Sequence, residues 1–328
     1  MSVVADEPEA PGRPTAPGEL ALTRVAVDTP ATTANLGAGF DALALALDLS
    51  NRMAVEVVDG PAGSLALDVV GEGSGLLEPG ADRFTTGLRL GLEELGVDLG
   101  ELALRVTMEN RIPLSRGLGS SASATVAGLV AAAALVGRPI EPERALILAC
   151  QAEGHADNAA AAVYGGFVVV SHVEGDAHAV RLEPPVDLVA ALFIPDRPLS
   201  TAAMRAALPE TVPFRDAVHN VGAASTIVAA FATGRLDLLA GATEDRLHEP
   251  YRASAVYPEL PGLVAAARAA GALGAAMSGA GSSVIAFADD PERAAEVGAA
   301  MARWASDHDL SGRAVLARPR ARGAFVIE

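Results

Sequence analysis

Ile112-Pro113-Leu114-Ser115-Arg116-Gly117-Leu118-Gly119-Ser120-Ser121-Ala122 reads as a tight loop that opens a helix. Residues 122–136 are almost all Ala, Val, Leu and Gly until Gly137 stops them. A helix that is apolar nearly all round belongs inside a domain. Its first turn leaves backbone N–H groups unpaired and carries the positive end of the macrodipole, which suits an anion. Gly117 and Gly119 permit φ > 0 and let a phosphate come close to the backbone. Ser120 and Ser121 add hydroxyls that reach phosphate oxygens or a magnesium ion. On these residues alone a phosphate site and a plain capped turn remain even alternatives.

Composition removes several rival chemistries. The chain has no lysine, so it offers neither a P-loop lysine, nor a protein-kinase strand lysine, nor a Schiff-base lysine for pyridoxal phosphate. Its 328 residues are enough for about two domains. A net charge of -17 argues against nucleic acid and against anionic membranes as partners. A polyanionic substrate must then be received locally, by helix dipoles, arginines and a metal. The single Cys150 excludes an intrachain disulfide framework, fits a cytoplasmic protein, and reads as a buried helix residue. Residues 1–20 lack the pattern of a signal peptide, and Pro8, Pro11, Pro14 and Pro17 recur as in a disordered, proline-rich leader. No apolar run is long enough for a membrane span.

Outside the loop, periodicity places the remaining polar clusters. Residues 24–28, 42–49, 53–58, 64–70 and 102–109 read as strands, and residues 82–95 as an amphipathic helix. Pro30-Ala31-Thr32-Thr33-Ala34-Asn35-Leu36-Gly37-Ala38-Gly39-Phe40-Asp41 is expected to be a long connection, with Asn35 and Asp41 as a ligand rim. After a helix over 141–152 comes Glu153-Gly154-His155-Ala156-Asp157-Asn158, a dense polar cluster that is costly to bury without partners. Glu153 is the best-placed carboxylate for magnesium. No paired Cys or second His stands at zinc spacing around His155. Farther on, 187–194, 284–288 and 314–317 read as strands and 218–231 and 291–307 as helices, with Trp304 as a core anchor.

Read together, Pro113 with Gly117-Leu118-Gly119-Ser120-Ser121-Ala122, the Pro30–Asp41 string and the glycine-rich Gly271–Ser283 resemble the three motifs of the GHMP small-molecule kinases. The Pro30–Asp41 string, the 153–158 cluster with Tyr164-Gly165-Gly166-Phe167, Ser200-Thr201-Ala202-Ala203-Met204-Arg205 and Asp245–Arg252 are most similar to members acting on the amino acid L-homoserine. The resemblance implies an α+β fold in two domains, the first like ribosomal protein S5 domain 2 over 21–170, the second ferredoxin-like over 171–328. It implies ATP and L-homoserine as substrates, with Mg2+. ATP would lie on Pro113, Leu114, Ser115, Arg116, Gly117, Leu118, Gly119, Ser120, Ser121, Ala122 and Ser123. Asn35, Asp41, His155, Asn158, Arg205 and Arg252 would hold the amino acid, the two arginines on its carboxylate. Ser121 and Glu153 would serve the metal, while Thr201 and Gly279 would approach the transferred phosphoryl group. Asp157 is either a general base, as in the Asp-Asn pair of mevalonate kinases, or an orienting group. Arg83-Phe84-Thr85 replaces the Asn that often opens the adenine-side helix, so the adenine pocket stays unassigned. Other acceptors (mevalonate, a sugar, a polyol), a non-catalytic sensor and a homodimer are left open.

Overall fold

The protein is described from a computed structural model over residues 20–327. The expected leader therefore lies outside the described residues, save Leu20, which packs at the edge of a hydrophobic cluster. The chain runs through β1 (Arg24–Ala34), β2 (Leu43–Val57), β3 (Leu65–Gly71), α1 (Arg83–Glu94), β4 (Leu104–Asn110) and α2 (Ser120–Val136). It continues with α3 (Pro142–Glu153), α4 (Asp157–Tyr164), β5 (Phe167–Val173), β6 (Asp176–Leu182) and β7 (Val189–Pro195). Five helices follow: α5 (Thr201–Ala206), α6 (Phe214–Thr233), α7 (Leu239–Ala242), α8 (Glu249–Ala255) and α9 (Leu260–Ala269). The last elements are β8 (Gly274–Met277), β9 (Val284–Ala288), α10 (Pro291–Asp307), β10 (Gly312–Ala317) and β11 (Phe325–Val326).

Two sheets result. The first has the order β11-β1-β2-β4-β3, with β5 added on β2 and β6 on β5. The second has the order β10-β7-β9-β8. Taken in chain order its strands lie fourth, first, third, second, which with α10 between β9 and β10 is the ferredoxin-like arrangement. Helix α2 passes between two apolar clusters, one against β1, β2, β4 and α1, the other against α3 and α4. That is why its sequence has no polar face. Gly137 closes it at φ 69.

The strands at the start differ from expectation. Residues 30–34 extend β1, and β2 is one long strand in place of two. The register between β1 and β2 shifts at Pro30/Ala31, so the proline falls at an irregularity where its missing N–H costs no ladder bond. The connection shrinks to residues 35–42. The divide expected between 170 and 171 falls inside β5, which stays in the first sheet through Leu43↔Val169 and Leu45↔Phe167. The C-terminal end returns to the same sheet, Val27 opposite Val326. A shared core joins the halves: Leu36, Leu45 and Phe167 pack with Leu192, Phe231 and Phe287. Phe167 and Phe231 stack at 4.1 Å. Trp304 is half-buried on the edge of the second core, against Gly262.

Candidate active site

Gly119 caps α2 with a left-handed backbone, φ 67 and ψ 20, and no side chain caps the helix. Its first-turn N–H groups are thus open to the cavity in front of them. Neither loop glycine tolerates a Cβ. At Gly119 it would meet Thr32 Oγ1 at 1.8 Å, and at Gly117 the carbonyl of Ser278 at 2.0 Å. The close approach at Gly117 comes from the second glycine loop, residues 278–283, which lies directly on the first. Ser278 Oγ donates to the Gly117 carbonyl at 2.7 Å and lies within hydrogen-bond distance of Thr33 Oγ1 at 2.9 Å. Ser283 N–H donates to the Arg116 carbonyl at 3.0 Å, and Gly279 N–H to that of Ala34 at 3.0 Å.

The acidic cluster faces this double loop. Thr125 Oγ1 of α2 donates to Glu153 Oε1 at 2.8 Å, and Arg83 Nε stands 3.8 Å from the same oxygen. Asp157 Oδ1 accepts from the Asn158 backbone N–H at 2.7 Å and from its amide at 3.2 Å. Asn158 Oδ1 in turn accepts from Thr32 Oγ1 at 2.8 Å. His155 Nδ1 lies 3.3 Å from Asp157 Oδ1, close enough for an ion pair though not aligned as a hydrogen bond. The Asp157 carboxylate still raises the imidazole above its ordinary 6.5, against the opposing effect of burial. Asp157 stands in the first turn of α4, which no side chain caps, and Glu153, His155, Asp157 and Asn158 line the cavity.

On the far wall, Arg205 grips Asp41 with two parallel bonds of 3.0 Å. Asn35 donates to the Gly279 carbonyl at 2.8 Å and accepts from the Asp41 N–H at 3.0 Å. Arg252, only 2% exposed, donates to the Met204 carbonyl at 3.2 Å and to His248 Nδ1 at 3.1 Å. His248 Nε2 pairs with the Gly37 carbonyl at 2.9 Å. These two partners define the tautomer: Nε2 carries the proton and Nδ1 accepts. Burial first, then the Arg252 charge, drives the imidazole well below its usual range, so it is neutral. Phe40 stacks on His248 at 4.8 Å, with the Arg252 guanidinium 5.1 Å from its ring centre.

One cavity brings together Asn35, Asp41, Pro113, Ser115 to Ala122, Glu153, His155, Asp157, Asn158, Thr201, Arg205, Arg252 and Gly279. Leu114 lines instead an adjoining apolar hollow with Met53, Leu77, Met108, Ser115, Ser120 and Ser121. Ser123 is turned away, fully buried with its hydroxyl 3.0 Å from that of Thr29. The Arg116 guanidinium is committed to the carbonyls of Leu114 (2.7 Å), Pro195 (2.8 Å) and Asp196, across the seam between the halves. Sequence reading missed Thr32, Thr33 and Ser278, which hold the loops together, and Phe40 and Thr125, which hold charged groups; His248, within the Asp245–Arg252 string, holds Arg252. Phe40 and the two threonines stand inside a string already singled out; nothing in the pattern marks Thr125.

An anion-binding helix terminus, facing a carboxylate cluster and a rim of paired charges, describes a phosphoryl-transfer site for a small charged acceptor, hence a small-molecule kinase. Comparison agrees. The GHMP kinases N terminal domain matches residues 85–166 and the GHMP kinases C terminal domain residues 227–307. Homoserine kinase of Moorella thermoacetica is 40% identical over 84% of this chain and 90% of its own length. That of Streptomyces coelicolor is 44% identical over 81% of this chain and 84% of its own. The crystal structure of homoserine kinase from Cytophaga hutchinsonii superposes with a TM-score of 0.84 at 29% identity, covering 93% of this chain and 98% of that one. The chain belongs to the GHMP kinases, in their homoserine kinase branch.

Proposed function

We propose that this cavity transfers the γ-phosphoryl group of ATP to the side-chain hydroxyl of L-homoserine, giving O-phospho-L-homoserine for threonine biosynthesis in the cytoplasm. The observation that carries the reading is the meeting, in one cavity, of an uncapped helix terminus with a carboxylate–guanidinium pair shaped like the ends of an amino acid. The residue 115–122 backbone receives the triphosphate, and the apolar hollow beside Leu114 takes the adenine. Asp41 faces the substrate ammonium; Arg205 and Arg252 face its carboxylate; Asn35, His155 and Asn158 fix the rest. A polyol or sugar needs neither the paired arginines nor Asp41.

Glu153 and Ser121 are hard oxygen donors on the phosphate side of the cavity, and they fit a magnesium ion shared with phosphate oxygens. When bound, that ion neutralises charge on the phosphates. Thr201 and Gly279 close on the transferred group from the second half. Asp157 takes the hydroxyl proton. Both oxygens of Asp41 are held by Arg205, and Glu153 is bonded by Thr125, whereas the hydrogen bonds to Asp157 all fall on Oδ1. The rest of catalysis is positioning. The test is ADP release with magnesium and ATP, offering L-homoserine, L-serine, mevalonate and galactose separately. Turnover with L-homoserine is expected; turnover only with another acceptor discards the substrate assignment, and none with any acceptor discards the kinase reading.

A further inference from the structure

Charge is unevenly shared between the two sides of the cavity. Arg205 and Arg252 stand on the amino-acid wall, and His155 is turned to Asp157. Arg116 has Nε, Nη1 and Nη2 each on a carbonyl oxygen. On the nucleotide side Asp82 and Glu153 are opposed by one arginine, Arg83, in a chain that has no lysine. A triphosphate brings several more negative charges to that side. Arg83 is also oddly placed for a residue serving the fold. It opens α1, where the helix dipole disfavours a cation, and no acidic residue stands in the first turn. Its half-exposed side chain donates from Nη1 to the Ala152 carbonyl at 3.0 Å, and its Nε stands 3.8 Å from Glu153 Oε1. Glu153 has a better partner in Thr125, 2.8 Å from the same oxygen. Arg83 shares the wall of the apolar hollow with Ser120 and Ser121, the first residues of α2, and these two also line the main cavity.

We propose that Arg83 receives the triphosphate, its guanidinium passing from Glu153 Oε1 to phosphate oxygens as ATP binds. The inference rests on the kinase reading and adds to it the residue that neutralises the nucleotide. A guanidinium fork matches two phosphate oxygens as well as it matches a carboxylate. The contact it gives up is long and single, whereas the phosphates offer several charges at once. Rotation about the bonds of a half-exposed side chain is enough for the exchange, because Arg83 and the start of α2 already share one wall. The exchange has a second effect. Glu153 Oε1 stays fixed by Thr125 but loses its cation, and so becomes free to ligate a metal. Arg83 thus links the two halves of nucleotide binding: the phosphates draw the positive charge off the carboxylate that the metal requires.

The test is calorimetric titration of the full chain with ATP in the presence of magnesium, beside steady-state kinetics, on wild type, Arg83→Gln and Arg83→Lys. Arg83→Gln should weaken ATP binding about tenfold or more, the worth of a charged hydrogen bond, and leave the KM for L-homoserine within a factor of about two. Arg83→Lys keeps the charge without the fork and should recover most of the loss. The gap between wild type and Arg83→Gln should narrow as salt is raised. Both variants should still melt cooperatively. Unchanged ATP affinity in Arg83→Gln, an equal loss in Arg83→Lys, or a matching rise in the homoserine KM overturns the proposal. A wild-type chain that binds ATP but phosphorylates no acceptor discards the kinase reading, and the titrations still decide the role of Arg83. A wild-type chain that binds no ATP overturns both.

Discussion

Arg205 and Asp41, 164 residues apart, satisfy each other completely: two guanidinium nitrogens meet two carboxylate oxygens at 3.0 Å. The pair reproduces internally what an α-amino acid would bring. On the proposed function, the substrate carboxylate takes the place of Asp41 on Arg205, and its ammonium the place of Arg205 on Asp41. Both side chains are about 40% exposed, so the bridge is screened and exchangeable.

Arg205→Ala is therefore expected to raise the KM for L-homoserine by roughly 10- to 100-fold, the worth of a charged hydrogen bond or two. The KM for ATP should stay within a factor of about two. Asp41→Asn should act on the same constant. Steady-state kinetics with each substrate varied in turn decide it; an unchanged homoserine KM in a folded Arg205→Ala protein removes Arg205 from the site.

Gly119→Ala should lose ATP binding and about 2 kcal/mol or more of stability, because it adds both a left-handed strain and a clash. The new methyl would stand 1.8 Å from Thr32 Oγ1. Gly75, also at positive φ, has nothing within 4 Å of an added Cβ, so Gly75→Ala pays only the backbone strain and should keep full ATP affinity. Calorimetric titration with ATP and a thermal melt of both variants separate the site from the strain.

His248→Ala should loosen Arg252 and the Gly37 carbonyl together, raising the homoserine KM at least about tenfold while kcat at saturation falls little. The neighbouring nucleotide constants provide the internal control. An equal loss on ATP would mean that His248 merely stabilises the fold.

Stability should depend on pH through two buried groups of opposite sense. The His248 imidazole is depressed from 6.5, so its contribution is present above that pH and is lost as pH falls toward the folded value. Glu249 turns its carboxyl inward, Oε1 accepting from the Met277 N–H at 2.6 Å, and burial pushes it up from 4.5 to about 8. Its contribution is full below 4.5 and is lost as pH rises through about 8. The two slopes oppose each other between 4.5 and 6.5, so melting temperature should fall mainly from 6.5 to about 8, and Glu249→Gln should remove that fall and uncover the His248 rise below 6.5.

Much of this site was legible in the chain. Gly117, Gly119 and the apolar run behind them specify a loop–helix by backbone conformation and burial alone, and the 153–158 cluster was conspicuous as polar chemistry between apolar segments. What remained hidden was pairing. Nothing local in Asp41 or Arg205 says that they meet, and nothing in residues 30–34 says that β1 continues through a proline, because the partner strand tolerates it at a register shift. Nor does the pattern near residue 170 say that β5 and β6 both stay in the first sheet, so that the divide falls after them.

The closing strand has a consequence for synthesis. Phe325 and Val326 complete the edge beside β1, Arg320 pairs with Asp28, and the Ala324 N–H donates to the Ala162 carbonyl at 2.8 Å. These residues leave the ribosome some three hundred positions after the strand they cover. Until then β1 presents an unpaired edge, the kind of surface on which nascent chains join one another or recruit a chaperone. The first half of this enzyme is thus the first to be made and among the last to be finished.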